Sequence, residues 1–316
     1  MMARLPAWGL TAAFLALLCI LNIILQPSFV TGNVLQSNIA TFLPLILVAI
    51  GQTYVVLGGD IDLSAGLIVA LSNVVCVQVI DSLGGNGVAV MAGLGAGLAT
   101  GLVCGVINGL AVAYGRLQPI VASFATGVIF GGLAIWVLPE AGLPVPELYW
   151  DTYGGDLFGV RVVVWLLIIA IVIAALIART RFQRALLATG GNRIGAYQSQ
   201  VPVARMRLSA YVLSGLFSSA AALCLVGETS SGDPLMGASM TLAAISAVVL
   251  GGTALAGGSG GFIGSILGAM ILGMINNVIF FAKLPFEMQG LVQGAAVLLA
   301  LAGGVIAARA REGAAR

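Results

Sequence analysis

The chain is 316 residues long, 60% hydrophobic and only 8% charged, with a net charge of +2 and no histidine. A soluble domain carries about 25% charged residues, so a chain this poor in charge cannot turn its surface to water, and the bilayer is its main solvent. The small net charge argues against nucleic acid as a partner. The missing histidine removes the commonest general base and the commonest metal ligand.

A membrane helix needs about 20 mostly apolar residues, and cutting the chain at its charges gives ten such stretches. The first runs from Trp8 to about Leu25, after Arg4. No small-residue cleavage site follows it, so it reads as a retained span rather than a signal peptide. Residues 5–59 are uncharged and leave room for two spans. Residues 63–80, 82–115, 117–139, 162–178 and 208–227 hold one each. Residues 234–282 hold two, broken near Gly257–Gly261, and 288–308 hold the last. Lipid offers no partner to free backbone groups, so these spans are helices. The expected fold is all-α and polytopic, a single transmembrane domain over residues 1–316. Within it, Gly93, Gly97, Gly101, Gly105 and Gly109 form a GxxxG stripe, which reads as a helix-packing face. Cys19, Cys76, Cys104 and Cys224 each lie in apolar surroundings without metal-ligand spacing, and read as small buried hydrophobes.

Basic residues mark cytoplasmic loops. Arg179, Arg181, Arg184, Arg193, Arg205 and Arg207 all fall in one loop at 179–207, and Arg309, Arg311 and Arg316 end the chain. The segment 139–160 carries Glu140, Glu147, Asp151 and Asp156 and no basic residue, so it is expected outside, as a periplasmic loop. Five spans before that loop and five after it put both termini in the cytoplasm, the side that the arginines assign independently.

Catalytic signatures are missing. Lys283 is the only lysine and follows Ala282, so no P-loop exists. Without histidine there is no Ser-His-Asp triad. Asp60 and Asp62 stand too close in sequence for an intramembrane aspartyl protease. The chain is expected to be no enzyme and to hold no cofactor; if ATP drives its function, another subunit binds the ATP.

Four segments carry most of the information. Leu57-Gly58-Gly59-Asp60-Ile61-Asp62-Leu63-Ser64-Ala65-Gly66 joins the second and third spans. Charge at mid-bilayer is costly, so the two acids belong at a span end or against protein or water. Gly58-Gly59 break one helix, and Asp62 or Ser64 caps the next; the same residues suit a gate beside a pathway. Arg116-Leu117-Gln118-Pro119-Ile120-Val121-Ala122-Ser123 opens the fifth span with proline near the helix start. Phe182-Gln183-Arg184-Ala185-Leu186-Leu187-Ala188-Thr189-Gly190-Gly191-Asn192 reads as a short amphipathic helix ended by Gly-Gly. Val249-Leu250-Gly251-Gly252-Thr253-Ala254-Leu255-Ala256-Gly257-Gly258-Ser259-Gly260-Gly261 precedes Asn276-Asn277, and Val-Val-Leu-Gly-Gly occurs both at 55–59 and at 248–252.

These segments resemble ribose-type ABC transporter permeases, in the order in which that family carries them. The first is similar to its GGIDLSVG signature, with Asp60 where the family often has glycine. The second is loosely similar to PFIVTL. The third is similar to GRAIYAIGGN, and the fourth to GGTSLFGGRGSIWGTLLGALLIGVLNNGL. The resemblance covers about residues 40–308. It implies an ABC importer permease fold in the inner membrane, a second permease copy, two ATPase subunits underneath, and a periplasmic binding protein that delivers a monosaccharide. It also implies that the 179–207 loop docks on the ATPase, through Arg184, Ala188, Gly190, Gly191 and Asn192. Gln52, Asp60, Asp62, Ser64, Asn108, Asn276 and Asn277 are the candidate gate or pathway residues, with Asn73 and Gln78 as further polar groups inside spans; Asn276 with Asn277 is the favoured pair. Branched-chain amino-acid, nucleoside or autoinducer permeases are alternatives, as is an ATP-independent secondary transporter. The intact Ile-Asp-Leu-Ser favours sugar, and the scarcity of charge in the spans argues against proton or sodium coupling.

Overall fold

The structure, a computed structural model, describes residues 9–283 and isolated positions between 285 and 298. Arg4, most of the 288–308 span and the C-terminal arginines lie outside the described residues. Ahead of the acidic loop come α1 (Gly9–Leu25), α2 (Gly32–Leu57), α3 (Ala65–Ser82), α4 (Gly87–Ala113) and α5 (Pro119–Val137). The loop itself contains α6 (Glu147–Gly154) and three two-residue strands: β1 (Leu143–Pro144), β2 (Asp156–Leu157) and β3 (Val160–Arg161). Then follow α7 (Val162–Ala178), α8 (Arg181–Gly191), α9 (Arg193–Gln198), α10 (Val203–Thr229), β4 (Ser231–Gly232), α11 (Met240–Leu250) and α12 (Phe262–Phe281).

Six of these helices (α2, α3, α4, α5, α10 and α12) are long and apolar enough to cross a bilayer. The architecture is that of an all-α polytopic membrane protein. The described helices are less uniform than the ten expected spans. Helices α1 and α7 have 17 residues each, and α11 has only 11. At about 1.5 Å per residue, α11 reaches roughly half of a ~30 Å hydrocarbon core. The expected eighth span is therefore an irregular stretch followed by a half-length helix.

Helix α10 is the centre of the larger group and packs along α4, α2 and α3. The glycine stripe makes this possible. A Cβ on Gly101 would stand 2.3 Å from the Gly215 carbonyl oxygen, and one on Gly215 would stand 2.1 Å from that of Gly101. Elsewhere on α4, Gly93 presses on α3, Gly97 on both α3 and α10, and Gly105 and Gly109 on α10. With no water to expel between helices, such close backbone approach is how membrane helices gain contact. A smaller group, α1, α11 and α12, packs together and on α2, and α11 also touches α3.

Helix α7 connects the two ends of the bundle, with the acidic segment before it and the basic segment after it. At the acidic end, β1 pairs antiparallel with β4, and β2 with β3. Tyr149 of α6 is buried, and its hydroxyl donates to the Leu223 carbonyl of α10 over 2.9 Å. At the basic end α8 turns away from α7 by 71°. The expected 179–207 loop is thus mostly helix, and α10 begins at Val203, so Arg205 and Arg207 belong to its first turns rather than to a loop.

Candidate functional site

Four of the expected gate or pathway residues, Asp60, Asp62, Ser64 and Asn108, gather where α2 is interrupted, and a second helix is interrupted beside them. Helix α2 ends in a Schellman turn: Gly59 N–H donates to the Val56 carbonyl over 2.9 Å and Asp60 N–H to that of Val55 over 3.2 Å. Helix α11 ends in the same turn, with Gly252 N–H on Val249 and Thr253 N–H on Val248. Gly59 and Gly252 have φ of 78° and 80°, left-handed values that glycine adopts without steric cost. The repeated Val-Val-Leu-Gly-Gly string therefore folds twice into one shape.

After the first turn the chain runs through Asp60–Ser64 and re-enters the bundle as α3. Asp62 is fully buried; its carboxylate accepts from the Ser64 amide (2.9 Å), the Ser64 hydroxyl (2.6 Å) and the Ser214 hydroxyl of α10 (2.9 Å). The Asn108 amide of α4 donates to Ser64 Oγ over 2.6 Å, and Thr126 of α5 donates to Asn108 Oδ1. Three of the expected pathway residues, Asp62, Ser64 and Asn108, thus form one buried chain across α10, α4 and α5. The capping expectation holds for Asp62, which takes the Ser64 amide at the start of α3, and fails for Ser64. Ser64 stands at the N-cap of α3 but its side chain makes no cap bond. The free amide of Gly66 is instead taken by Thr241 Oγ1 of α11 at 2.8 Å.

Asp60 lies in a different environment. Arg207 donates through Nε to Asp60 Oδ2 (2.7 Å) and through Nη2 to Oδ1 (3.0 Å), a forked contact, and through Nη1 to the Val112 carbonyl at the end of α4 (3.1 Å). Arg193 of α9 donates to Asp60 Oδ1 over 3.0 Å and to the Gly58 carbonyl over 3.4 Å. One buried carboxylate thus holds two guanidinium groups, and the ends of α2 and α4 and the starts of α9 and α10 meet on it. By sequence, Arg207 is a loop charge that sets topology; in the structure it is a buried ion-pair partner.

The second interruption begins beyond β4. Residues 231–239 run alongside α3 without helical structure, and Asn73 Oδ1 accepts the Asp233 amide over 3.0 Å. A Cβ on Gly232 would meet Val77, and one on Gly237 would meet Val69, so the stretch descends two turns of α3 before α11 starts. After α11, the glycine loop 251–261 returns to the basic end. There Gly258 N–H donates to the Leu57 carbonyl over 3.0 Å, and Gly190 at the end of α8 packs against both groups.

The expected docking residues divide between two faces. Arg184, Ala188, Gly191 and Asn192 are exposed on α8 and its end, whereas Gly190 faces inward at this glycine junction. Ile194 and Tyr197 of α9, 72% and 75% exposed, continue the outer face and were not among the expected contacts. Asn277 donates to Asn38 Oδ1 of α2 over 3.0 Å and Asn276 is half-buried; both lie in the last turns of α12, toward its far end from the glycine junction. Gln52 is fully buried in α2, and neither of its amide atoms has a hydrogen-bonding partner among the described residues. Among the described residues no cluster of acids or cysteines could hold a metal ion. An apolar groove of about 630 Å³ between α4, α6, α7 and α10, with Met91, Leu98, Leu166 and Ile173 in its wall, offers few hydrogen bonds to a hydroxylated solute.

The sequence is similar to known transport permeases over most of its length. Over 298 residues the chain is 37% identical to the ribose import permease protein RbsC of Bacillus subtilis (strain 168), covering 91% of this chain and 89% of the relative. It is 33% identical over 301 residues to RbsC of Escherichia coli (strain K12), covering 92% and 91%. The L-arabinose ABC transporter permease protein AraH of Azospirillum brasilense is 30% identical over 295 residues, covering 93% and 86%. A family model described as "Branched-chain amino acid transport system / permease component" matches residues 34–301. An interrupted helical bundle that spans a membrane, with most of its length matched by this family, leads to one conclusion: the chain belongs to the branched-chain amino acid transport system permease component family.

Proposed function

We propose that the chain is the membrane-spanning permease subunit of an ATP-driven importer in a bacterial inner membrane, and that its solute is a monosaccharide such as ribose or arabinose. The observation that carries this reading is the junction at the basic end. An exposed basic helix pair, α8–α9, is locked by backbone contact to the turn after α2 and to the glycine loop after α11. Those are the two places where the spans are interrupted. ATP is bound by two copies of a partner ATPase seated on α8–α9, and a periplasmic binding protein delivers solute at the acidic end. The names of the relatives favour a sugar, and so does chemistry: the buried groups that line the breaks are mostly hydroxyls and carboxamides, which suit an uncharged polyol. The family's own description favours a branched-chain amino acid as the second reading.

The test is purification of the tagged chain in mild detergent, followed by uptake in proteoliposomes. A P-loop ATPase should come with it, and labelled ribose or arabinose should enter with ATP and the binding protein. Uptake of leucine instead would support the second reading, and ATP-independent flux by the chain alone would end the importer assignment.

The same reading places the pathway. Lipid cannot satisfy non-helical backbone, so an irregular stretch at membrane depth must face protein or water. Residues 235, 238 and 239 are exposed in the 231–239 stretch. This face borders the pathway, and a second permease copy closes it. Ser239→Cys in the assembled complex should react with a membrane-impermeant thiol reagent, and ATP turnover should change the rate. Reaction of the Ser239→Cys variant with lipid-soluble reagents alone would remove this face from the pathway.

A further inference from the structure

We propose that Arg193 is a positioning residue that ties the docking segment to the α2–α3 interruption, so that its ion pair with Asp60 couples ATP hydrolysis to solute movement. The proposal rests on the importer reading above and goes beyond it by naming the contact through which force passes.

The two arginines on Asp60 are not equivalent. The Arg207 side chain is 10% exposed and forked onto the carboxylate; that of Arg193 is 44% exposed and makes one contact with it. Arg207 neutralises Asp60 by itself, and its third donor group is spent on Val112. Loss of Arg193 therefore leaves no uncompensated charge in the bundle. What it removes is the only ion pair, among the described residues, between α9 and the rest of the protein.

The position of that pair gives it a mechanical role. Arg193 directly follows the exposed end of α8 and also reaches the Gly58 carbonyl, so it grips the turn after α2 at two points. Two residues beyond Asp60, Asp62 begins the buried chain through Ser64, Ser214, Asn108 and Thr126. A displacement of α8–α9 that pulls Asp60 therefore pulls the place where α4, α5 and α10 share hydrogen bonds. The glycine contacts at Gly190 push the same turn, but contact transmits compression only; a charged pair also transmits tension.

The experiment uses the complete complex, with its ATPase and binding protein, in proteoliposomes, and measures solute imported per ATP hydrolysed. Arg193→Gln should lower that ratio by about fivefold or more. Its melting temperature and the amount of ATPase that co-purifies should match the parent. Arg193→Lys, which keeps a point charge, should recover part of the ratio. An unchanged ratio in Arg193→Gln overturns the proposal. Loss of ATPase in step with transport also overturns it, because Arg193 is then a docking contact. If the parent chain itself brings down no ATPase, the importer reading fails, and that result is visible before any variant is made.

Discussion

Arg207→Ala is expected to prevent the chain from accumulating in folded form. The substitution strips Asp60 Oδ2 of its Nε donor, removes one of two donors from Oδ1, and frees the Val112 carbonyl. Asp60 stays buried, with its side chain 3% exposed and only the single contact from Arg193 left. Removing one partner of a buried ion pair costs about 3–5 kcal/mol where the other charge is left alone; the half-exposed Arg193, with one contact to Asp60, offsets only part of that cost. That is a large part of a typical net stability of roughly 5–15 kcal/mol. The measurement is fluorescence-detected gel filtration of tagged membranes solubilised in mild detergent, with a melting curve on whatever protein is recovered. Arg207→Lys should fall between the two, since it keeps the charge but loses the fork and the bond to Val112. A parent-like profile for Arg207→Ala would mean that the ion pair does not hold the bundle.

The contrast with Arg193 shows what a sequence conveys and what it does not. Helices α3, α4, α5 and α7 lie within a few residues of their expected positions because charges, Pro119 and glycine turns bound them locally. Pairing Asp60 with Arg207 joins residues 147 apart, and no local pattern encodes it. One clue was available: a buried acid needs a cation, and Arg207 directly precedes an uncharged span. The shortness of α11 was hidden differently. Residues 234–250 carry no charge, and hydropathy does not separate a buried helix from buried irregular chain. Pro234 and Gly237 were the local sign that the helix could not begin until later. Asn277 reads as a solute ligand from its apolar surroundings alone, since nothing in sequence places Asn38 opposite it.

Gly190 and Gly191 make the same point at the level of a single methyl group. They are neighbours of one type in one helix, and sequence assigns them one role. A Cβ on Gly190 would stand 2.0 Å from the Leu57 carbonyl oxygen and 2.6 Å from the Gly258 nitrogen, the two atoms of the hydrogen bond that closes the junction. Both are backbone, so neither can rotate away. Overpacking of this kind costs about 1–3 kcal/mol and occasionally more, and here it also opens the bond between the two interrupted spans. A Cβ on Gly191 meets nothing nearer than the Gly258 Cα at 3.8 Å. Alanine there should be neutral or stabilising by up to about 1 kcal/mol, the ordinary gain over glycine in a helix. Gly190→Ala is therefore expected to lower the melting temperature and abolish ATP-driven uptake, while Gly191→Ala leaves the melting temperature unchanged or raised. Because both substitutions add one methyl to adjacent positions, differences in expression, charge or helix propensity cancel between them. Equal melting of the two variants would mean that α8 does not bear on Leu57 and Gly258, and the docking segment would then reach the α2–α3 break through Arg193 alone.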